Sequence, residues 1–214
     1  IKDSVVLHKM GSNAKPVNTF INYYMWRNRI HFFMKYTPEE KLERMSYCIL
    51  SSVFDAMYES MYREEHNIMQ TISYAYYDAI RDVRGKASDG KIRNNDASDS
   101  RFQSYLQTKK TYYLKADTTE EEQEAQAFIE ALQTVCQRVE QESDADVTIV
   151  VCPYIMRCKR EQYPEKNQIV LDSYKNVILD ESDWEAVSQY DYAKSLFIYM
   201  NQGAFLDATK ALCK

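Results

Sequence analysis

Residues 5–36 restrict the possible folds of this chain more than any other stretch. A short apolar run predicts a strand, a loop rich in Gly, Ser, Asn, Lys and Pro follows, and an aromatic segment comes next. In residues 16–35 apolar side chains recur at nearly helical spacing, which predicts a helix. Its middle carries Arg27 and Asn28, where a plain amphipathic helix would carry leucine. Because Arg offers five planar donors and Asn both a donor and an acceptor, the pair predicts a polar anchor.

Two further helical patterns complete the first half of the chain. Thr37, Pro38 and Glu40 are typical of a helix start, and apolar residues at helical spacing then continue to residue 61. A third helix is predicted from about residue 67 to residue 84, and Gly85 provides its left-handed end. Three long helices with short connections imply antiparallel packing.

The second half of the chain mixes helices with short strands. Residues 86–100 are polar and rich in turn formers, which predicts a linker or an exposed loop. An acidic helix is predicted over residues 118–142, with a capping box at its start, and a buried strand over residues 146–152. The remaining predicted elements are a hairpin of strands 168–171 and 176–179 and two helices that begin at Ser182 and Asp191. The predicted fold class is mainly α: an antiparallel helical bundle followed by a smaller α+β portion with two or three short strands.

Composition excludes several classes of protein. A chain of 214 residues with 45% hydrophobic and 28% charged residues can bury a proper core. The net charge of −5 gives no reason to expect a nucleic-acid partner. No apolar run approaches the roughly 18 residues that a transmembrane helix needs. The five cysteines are odd in number and form no CxxC pair, which favours reduced cytoplasmic thiols over a zinc site or a disulfide framework.

One arrangement of residues resembles a known family. His8, a polar loop and a helix with Tyr23-Tyr24-x-x-Arg27-Asn28 resemble the exit from the catalytic core of inverting family 2 glycosyltransferases with the GT-A fold. The similarity is greatest to bacterial galactofuranosyl- and rhamnosyltransferase-like members. The later run of residues 79–86 (AIRDVRGK) resembles the helix ending that follows the exit helix in this family. The resemblance covers residues 5–91.

The resemblance implies roles for four residues. His8 would help to ligate the catalytic Mn²⁺ or Mg²⁺ of a full-length enzyme, the alternative being an ordinary loop histidine. Arg27 and Asn28 would contact a diphosphate or an acceptor sugar, or else form a structural hydrogen-bond anchor. Lys9 would meet nucleotide phosphates, or else is a solvated loop lysine. GT-A enzymes hold metal and donor with a DxD-type acidic pair after a strand, and this sequence has none. We therefore expect no catalytic residue and no bound metal in the chain by itself.

These inferences give a domain division and a function to test. Residues 1–16 would be the tail of a GT-A core, residues 17–100 the helical region after the core, and residues 101–214 a C-terminal α+β extension. The start of the chain indicates a fragment of a longer protein. Its expected function is assembly or acceptor docking in a glycosyltransferase that transfers a sugar from a nucleotide-sugar donor to a cell-surface glycan. The alternative is a non-catalytic helical module for protein interaction or oligomerisation.

Partners and location follow from the same reasoning. The expected partners of the full-length protein are a nucleotide sugar and a glycan acceptor, in the cytoplasm, with peripheral association at the inner face of the membrane. The aromatic helix also predicts a homodimer, because large rings with polar tips suit an interface. The predicted interface consists of Tyr23, Tyr24, Trp26, Phe32 and Phe33, beside Tyr74 and Tyr77.

Overall fold

A computed structural model describes residues 18–95, 101–158 and 167–212. These residues are mostly helical and contain one five-stranded sheet. The α-helices of the described chain are α1 (Phe20–Tyr36), α2 (Leu42–Tyr62), α3 (His66–Ile80), α4 (Arg101–Gln107), α5 (Thr119–Ala131) and α6 (Glu181–Leu212). The strands are β1 (Thr111–Lys115), β2 (Gln137–Arg138), β3 (Val147–Cys152), β4 (Gln168–Asp172) and β5 (Val177–Ile178). The mainly α content predicted from the sequence is confirmed.

Four helices share one hydrophobic core. Helix α1 packs chiefly against α3, and α2 packs against both α3 and α6. Burying one large apolar side chain stabilises a fold by about 1.5–3 kcal/mol, so this core contributes a large part of the stability. Its most deeply buried large side chains are Tyr23, Ile30, Met34, Leu50, Ile72, Tyr76 and Phe205.

The three helices predicted for the first half are present, but their ends differ from the predicted ones. Thr37 ends α1 by donating its backbone N–H to the Phe33 carbonyl oxygen. It does not cap α2, whose N-cap residue is Lys41. A 3₁₀ turn at Glu39–Lys41 comes before α2. Helix α3 ends at Ile80, earlier than predicted. Asp82 and Gly85 both have positive φ beyond this end, at 53° and 76°. The left-handed conformation predicted for Gly85 is confirmed, but Gly85 does not end the helix, because Asp82 is the first left-handed residue after α3.

The sheet contains more strands than the predicted two or three. Its order is β2-β1-β3-β4-β5; the first four strands are parallel, and β4 and β5 form the predicted antiparallel hairpin. Strand β3 was also predicted. The unpredicted strands are β1, whose Tyr112 and Leu114 face inward, and β2, two exposed residues that have no alternating pattern. The two residues of β2 form a strand because they pair in parallel with β1.

Two helices of the second half also differ from prediction. The capping box of Thr118 and Glu121 is confirmed at the start of α5, but the helix ends at Ala131 instead of residue 142. The chain turns at Gln133, which has φ 52°, and then forms β2 beside β1. The two helices predicted from Ser182 and Asp191 are one continuous helix, α6. Its first turns pack against the sheet side and its later turns against the core of α1, α2 and α3. No helix in the described ranges is long and apolar enough to cross a membrane.

Candidate functional site at the junction of α1 and the segment after α3

The structure places two of the four residues that the resemblance singled out. Arg27 is buried in the face of α1 that meets α3, with 4% of its surface exposed, and the adjacent Asn28 is exposed. His8 and Lys9 lie outside the described residues. Arg27 is therefore the centre of the candidate site.

Arg27 joins α1 to the segment that follows α3. Its Nη2 donates to the carbonyl oxygen of Gly85 at 2.8 Å, and its Nη1 lies 3.4 Å from the hydroxyl oxygen of Tyr23, one helical turn earlier. The guanidinium carbon lies 5.1 Å and 5.0 Å from the ring centres of Tyr23 and Tyr24, a cation–π geometry. These contacts match the structural-anchor alternative for Arg27, because both Nη atoms meet protein groups; the buried Nε has no hydrogen-bond partner among the described residues.

A buried carboxylate lies next to this anchor. Asp78 of α3 is 4% exposed; it accepts a hydrogen bond from Tyr23 Oη at 2.5 Å and pairs with Lys91 Nζ at 2.6 Å. Burial acts to raise the pKa of Asp78, but the hydrogen bonds from Lys91 and Tyr23 outweigh it and hold the pKa below its usual value. Burial and the Asp78 carboxylate raise the pKa of Tyr23 to about 12. We call Tyr23, Arg27, Asp78, Lys91 and the Gly85 carbonyl the junction cluster.

Backbone bonds fasten the rest of the segment after α3. The Ala87 N–H donates to Tyr24 Oη at 3.0 Å. Thr19 donates its N–H to the Arg93 carbonyl oxygen at 2.8 Å and accepts the Arg93 N–H on its hydroxyl at 3.0 Å. Asn18 and Asn94 form an antiparallel bridge beside this pair. The segment is therefore held to α1 at both ends.

A basic cleft opens on the outer side of the junction cluster. It encloses about 330 Å³. Lys35 and Arg84 are exposed cations of its lining, and Arg84 is paired with Asp82. His31 is buried; its burial, together with the Arg84 cation, lowers its pKa, so the ring is neutral at pH 7. The full lining is Arg27, Asn28, His31, Phe32, Lys35, Tyr36, Arg84 and Gly85.

The lining of this cleft offers hydrogen-bond donors. Asn28, Lys35 and Arg84 can donate hydrogen bonds to an anionic oxygen. Its described lining has no carboxyl pair for acid–base work. Within residues 18–95, 101–158 and 167–212, no three His, Cys, Asp or Glu side chains lie together as a metal site would require.

A larger groove of about 590 Å³ lies between α1 and α2. Phe32, Phe33 and Tyr36 line it with exposed rings, and Arg29, Lys41 and Arg44 add positive charge. We call this surface the α1–α2 groove.

The groove corrects the predicted dimer surface. Tyr23 and Trp26 belong to the core, at 0% and 6% exposure, because the face of α1 that carries them packs against α3. Phe32 remains exposed as predicted, at 58%.

Asp78 and Lys91 were not found from the sequence. The available signal was a carboxylate on the face of α3 that also carries the buried Ala75 and Ala79. A charge on an apolar face is seldom buried without a partner, so it calls for a nearby cation.

Comparisons of the chain with protein-family models, with curated proteins and with solved structures found no match.

Proposed function

We propose that residues 18–95 form the antiparallel helical region that follows the catalytic core of a family 2 glycosyltransferase. In this proposal the chain works in assembly or acceptor docking, beside a core that binds the nucleotide sugar at the inner face of the membrane. Sugar is transferred from that donor to a cell-surface glycan, and the chain by itself is inactive.

One observation carries this proposal. The two runs that resemble the family, around Arg27 and around Gly85, are separated by 58 positions, yet Arg27 donates directly to the Gly85 carbonyl. Tyr24, also in the first run, accepts the N–H of Ala87, the residue that follows the second run. The contact between the two runs supports reading them as one signature.

The proposal gives the basic cleft a ligand class. Asn28, Lys35 and Arg84 would contact a phosphate of the donor or of a phosphate-bearing acceptor, while Arg27 holds α1 in place. Lys9 and His8 would belong to the core, with His8 on Mn²⁺ or Mg²⁺. The described residues do not themselves make up a site for that metal.

A donor-panel assay on the natural gene product that contains this chain tests the proposal. The expected result is metal-dependent release of nucleoside diphosphate from at least one UDP- or dTDP-sugar when a glycan acceptor is present. Asn28→Ala should raise the donor or acceptor KM, while Asn22→Ala, a half-buried amide earlier on α1, serves as the matched control. Absence of turnover with every donor would overturn the proposal.

A second candidate function rests on a different observation. The α1–α2 groove exposes Phe32, Phe33 and Tyr36 as neighbours, with the ring centres of Phe32 and Tyr36 5.0 Å apart. Contiguous apolar surface of this kind marks an interaction site in soluble proteins. We propose a second copy of the chain as the occupant, since two-fold dimers are the commonest closed assembly.

A further inference from the structure

Two cysteines distant from the junction cluster lie side by side. Cys152 ends β3, and Cys158 follows a 3₁₀ turn at Ile155–Arg157. Their Sγ atoms are 3.8 Å apart, and both side chains are partly buried. The other described cysteines differ in setting, since Cys48 is exposed and Cys136 is buried.

The turn between Cys152 and Cys158 brings their sulfur atoms close together before any bond forms between them. Cys158 donates its N–H to the Ile155 carbonyl oxygen at 2.9 Å, which closes the turn. Asp172 Oδ2 accepts the Ile155 N–H at 3.1 Å and ties the turn to the end of β4. A disulfide is about 2.05 Å long, so the sulfurs need to approach by roughly 1.7 Å. The folded chain thus supplies the proximity that an intramolecular reaction needs.

The two thiols are chemically unequal. Sharing its proton with Cys158, and then burial, raise the pKa of Cys152. The same hydrogen bond lowers the pKa of Cys158, and it outweighs burial and the Asp172 carboxylate, which both act to raise that pKa. The thiolate is the nucleophile in thiol–disulfide exchange, so the lower pKa of Cys158 favours it as the attacking sulfur.

We propose that Cys152 and Cys158 are a redox-active dithiol, which a low-molecular-weight disulfide such as oxidised glutathione converts into an intramolecular disulfide. The Cys158 thiolate attacks one sulfur of the oxidant, forming a mixed disulfide and releasing one glutathione thiolate. Cys152 then loses its proton to solvent and attacks the Cys158 sulfur, which releases the second glutathione. The two cysteines lose two electrons, and the oxidant is reduced to two thiols.

The bond would fix the loop that connects the sheet to the helices. Tyr154, between the two cysteines, donates its hydroxyl to Glu59 Oε1 of α2 at 2.7 Å. Its ring also contacts Tyr174 after β4 and Tyr190 of α6, with centres 5.3 Å and 6.3 Å away. A disulfide across 152–158 holds Tyr154 where it makes these contacts. This inference is independent of the proposed glycosyltransferase function.

Differential alkylation of the folded, full chain tests the inference. The reduced protein is incubated with a series of oxidised and reduced glutathione mixtures, quenched, alkylated and mapped by peptide mass spectrometry without reduction. The expected product is a peptide pair linked through Cys152 and Cys158 that lacks two hydrogen atoms, formed in mixtures that leave Cys136 reduced. Cys48 reports the reactivity of an exposed thiol and is expected to give only a glutathione adduct.

Two results would overturn the inference. One is alkylation of both Cys152 and Cys158 in every mixture that modifies Cys48. The other is a stable glutathione adduct on Cys158 with Cys152 still free, because resolution by Cys152 would then fail. Cys152→Ser provides a positive control for the first step, since it should trap the mixed disulfide on Cys158.

Discussion

The Arg27 guanidinium and the Gly85 carbonyl oxygen, 2.8 Å apart, connect the middle of α1 to the chain beyond α3. Gly85 adopts φ +76°, a conformation that presents this carbonyl at low cost only because the residue has no Cβ. Arg27 reaches it from a buried position and so is withdrawn from solvent. The pair therefore stabilises the junction, whereas the adjacent Asn28 is exposed.

Replacing Arg27 should show how much the stability of the junction cluster depends on the planar guanidinium group. Arg27→Lys keeps the charge but cannot stack on Tyr23 and Tyr24 while it bonds Gly85. We expect the free energy of unfolding to fall by roughly 1–3 kcal/mol. Arg29→Lys on the exposed side of α1 is the control and should change it by less than about 0.5 kcal/mol. Urea unfolding measures both, and equal midpoints for the two variants would contradict the anchoring role.

Asp78 makes the stability of the fold depend on pH in a defined direction. A carboxyl whose pKa is lower in the folded than in the unfolded state stabilises the fold fully above its unfolded pKa, and the contribution disappears as the pH falls through the folded pKa. For Asp78 the contribution should be complete above about pH 4 and decline below it.

Asp78→Asn tests this dependence. Leaving the partly buried Lys91, whose side chain is 24% exposed, without its partner should cost roughly 1–3 kcal/mol at neutral pH. The difference from wild type should shrink as the pH is lowered below about 4. Asp89→Asn, at an exposed carboxyl in the same segment, should show no such trend. A difference that stays constant from neutral to acid pH would contradict the ionised state assigned to Asp78.

Local signals in the sequence were sufficient for some of these features. The Thr118–Glu121 capping box forms as predicted because both partners lie within one helical turn. The β4–β5 hairpin forms as predicted because its turn residues are adjacent in sequence. Arg27 could be recognised as a polar anchor because it interrupts an apolar helix face.

Features that depend on distant partners could not be predicted in the same way. Gly85 and Lys91 approach Arg27 and Asp78 only after α3 has folded against α1. Strand β2 exists because β1 lies beside it, and its two exposed residues carry no pattern. Helix α6 was predicted as two helices, although the sequence between their predicted starts has neither Gly nor Pro to separate them.

The buried Asp172 offers a test in which burial and hydrogen bonding predict opposite results. Burial raises its pKa, which by itself predicts that neutralising the carboxylate stabilises the fold. However, Oδ1 accepts the N–H groups of Tyr174 and Asn176, and Oδ2 accepts from Ile155 and from Asn176 Nδ2. An asparagine would put an NH₂ group opposite two of these donors.

We expect the hydrogen bonds to decide the outcome. Asp172→Asn should lower the free energy of unfolding by roughly 1–3 kcal/mol, as for other buried donors left without an acceptor. Asp191→Asn, exposed on α6, is the matched control. Thermal unfolding of both variants decides the question, and a rise in the midpoint for Asp172→Asn would mean that desolvation of the charge outweighs its bonds.

Self-association through the α1–α2 groove can be tested by measuring the mass of the protein in solution. The groove carries Arg29, Lys41 and Arg44, and the exposed Glu39, Glu40 and Glu43 lie next to it. A two-fold arrangement can place the acids of one copy against the bases of the other, so a second copy suits this surface. Association should accordingly weaken as the salt concentration rises.

Light scattering across micromolar concentrations should give twice the chain mass of 25.3 kDa. Phe32→Ser removes a ring that is 58% exposed in the groove and should weaken the dimer at least tenfold, a loss of about 1.4 kcal/mol. Tyr199→Ser, at a ring 84% exposed on α6, is the matched control and should leave the mass unchanged. A wild-type mass of one chain throughout would end the dimer proposal. Equal weakening by both variants would show that the groove is not the contact surface.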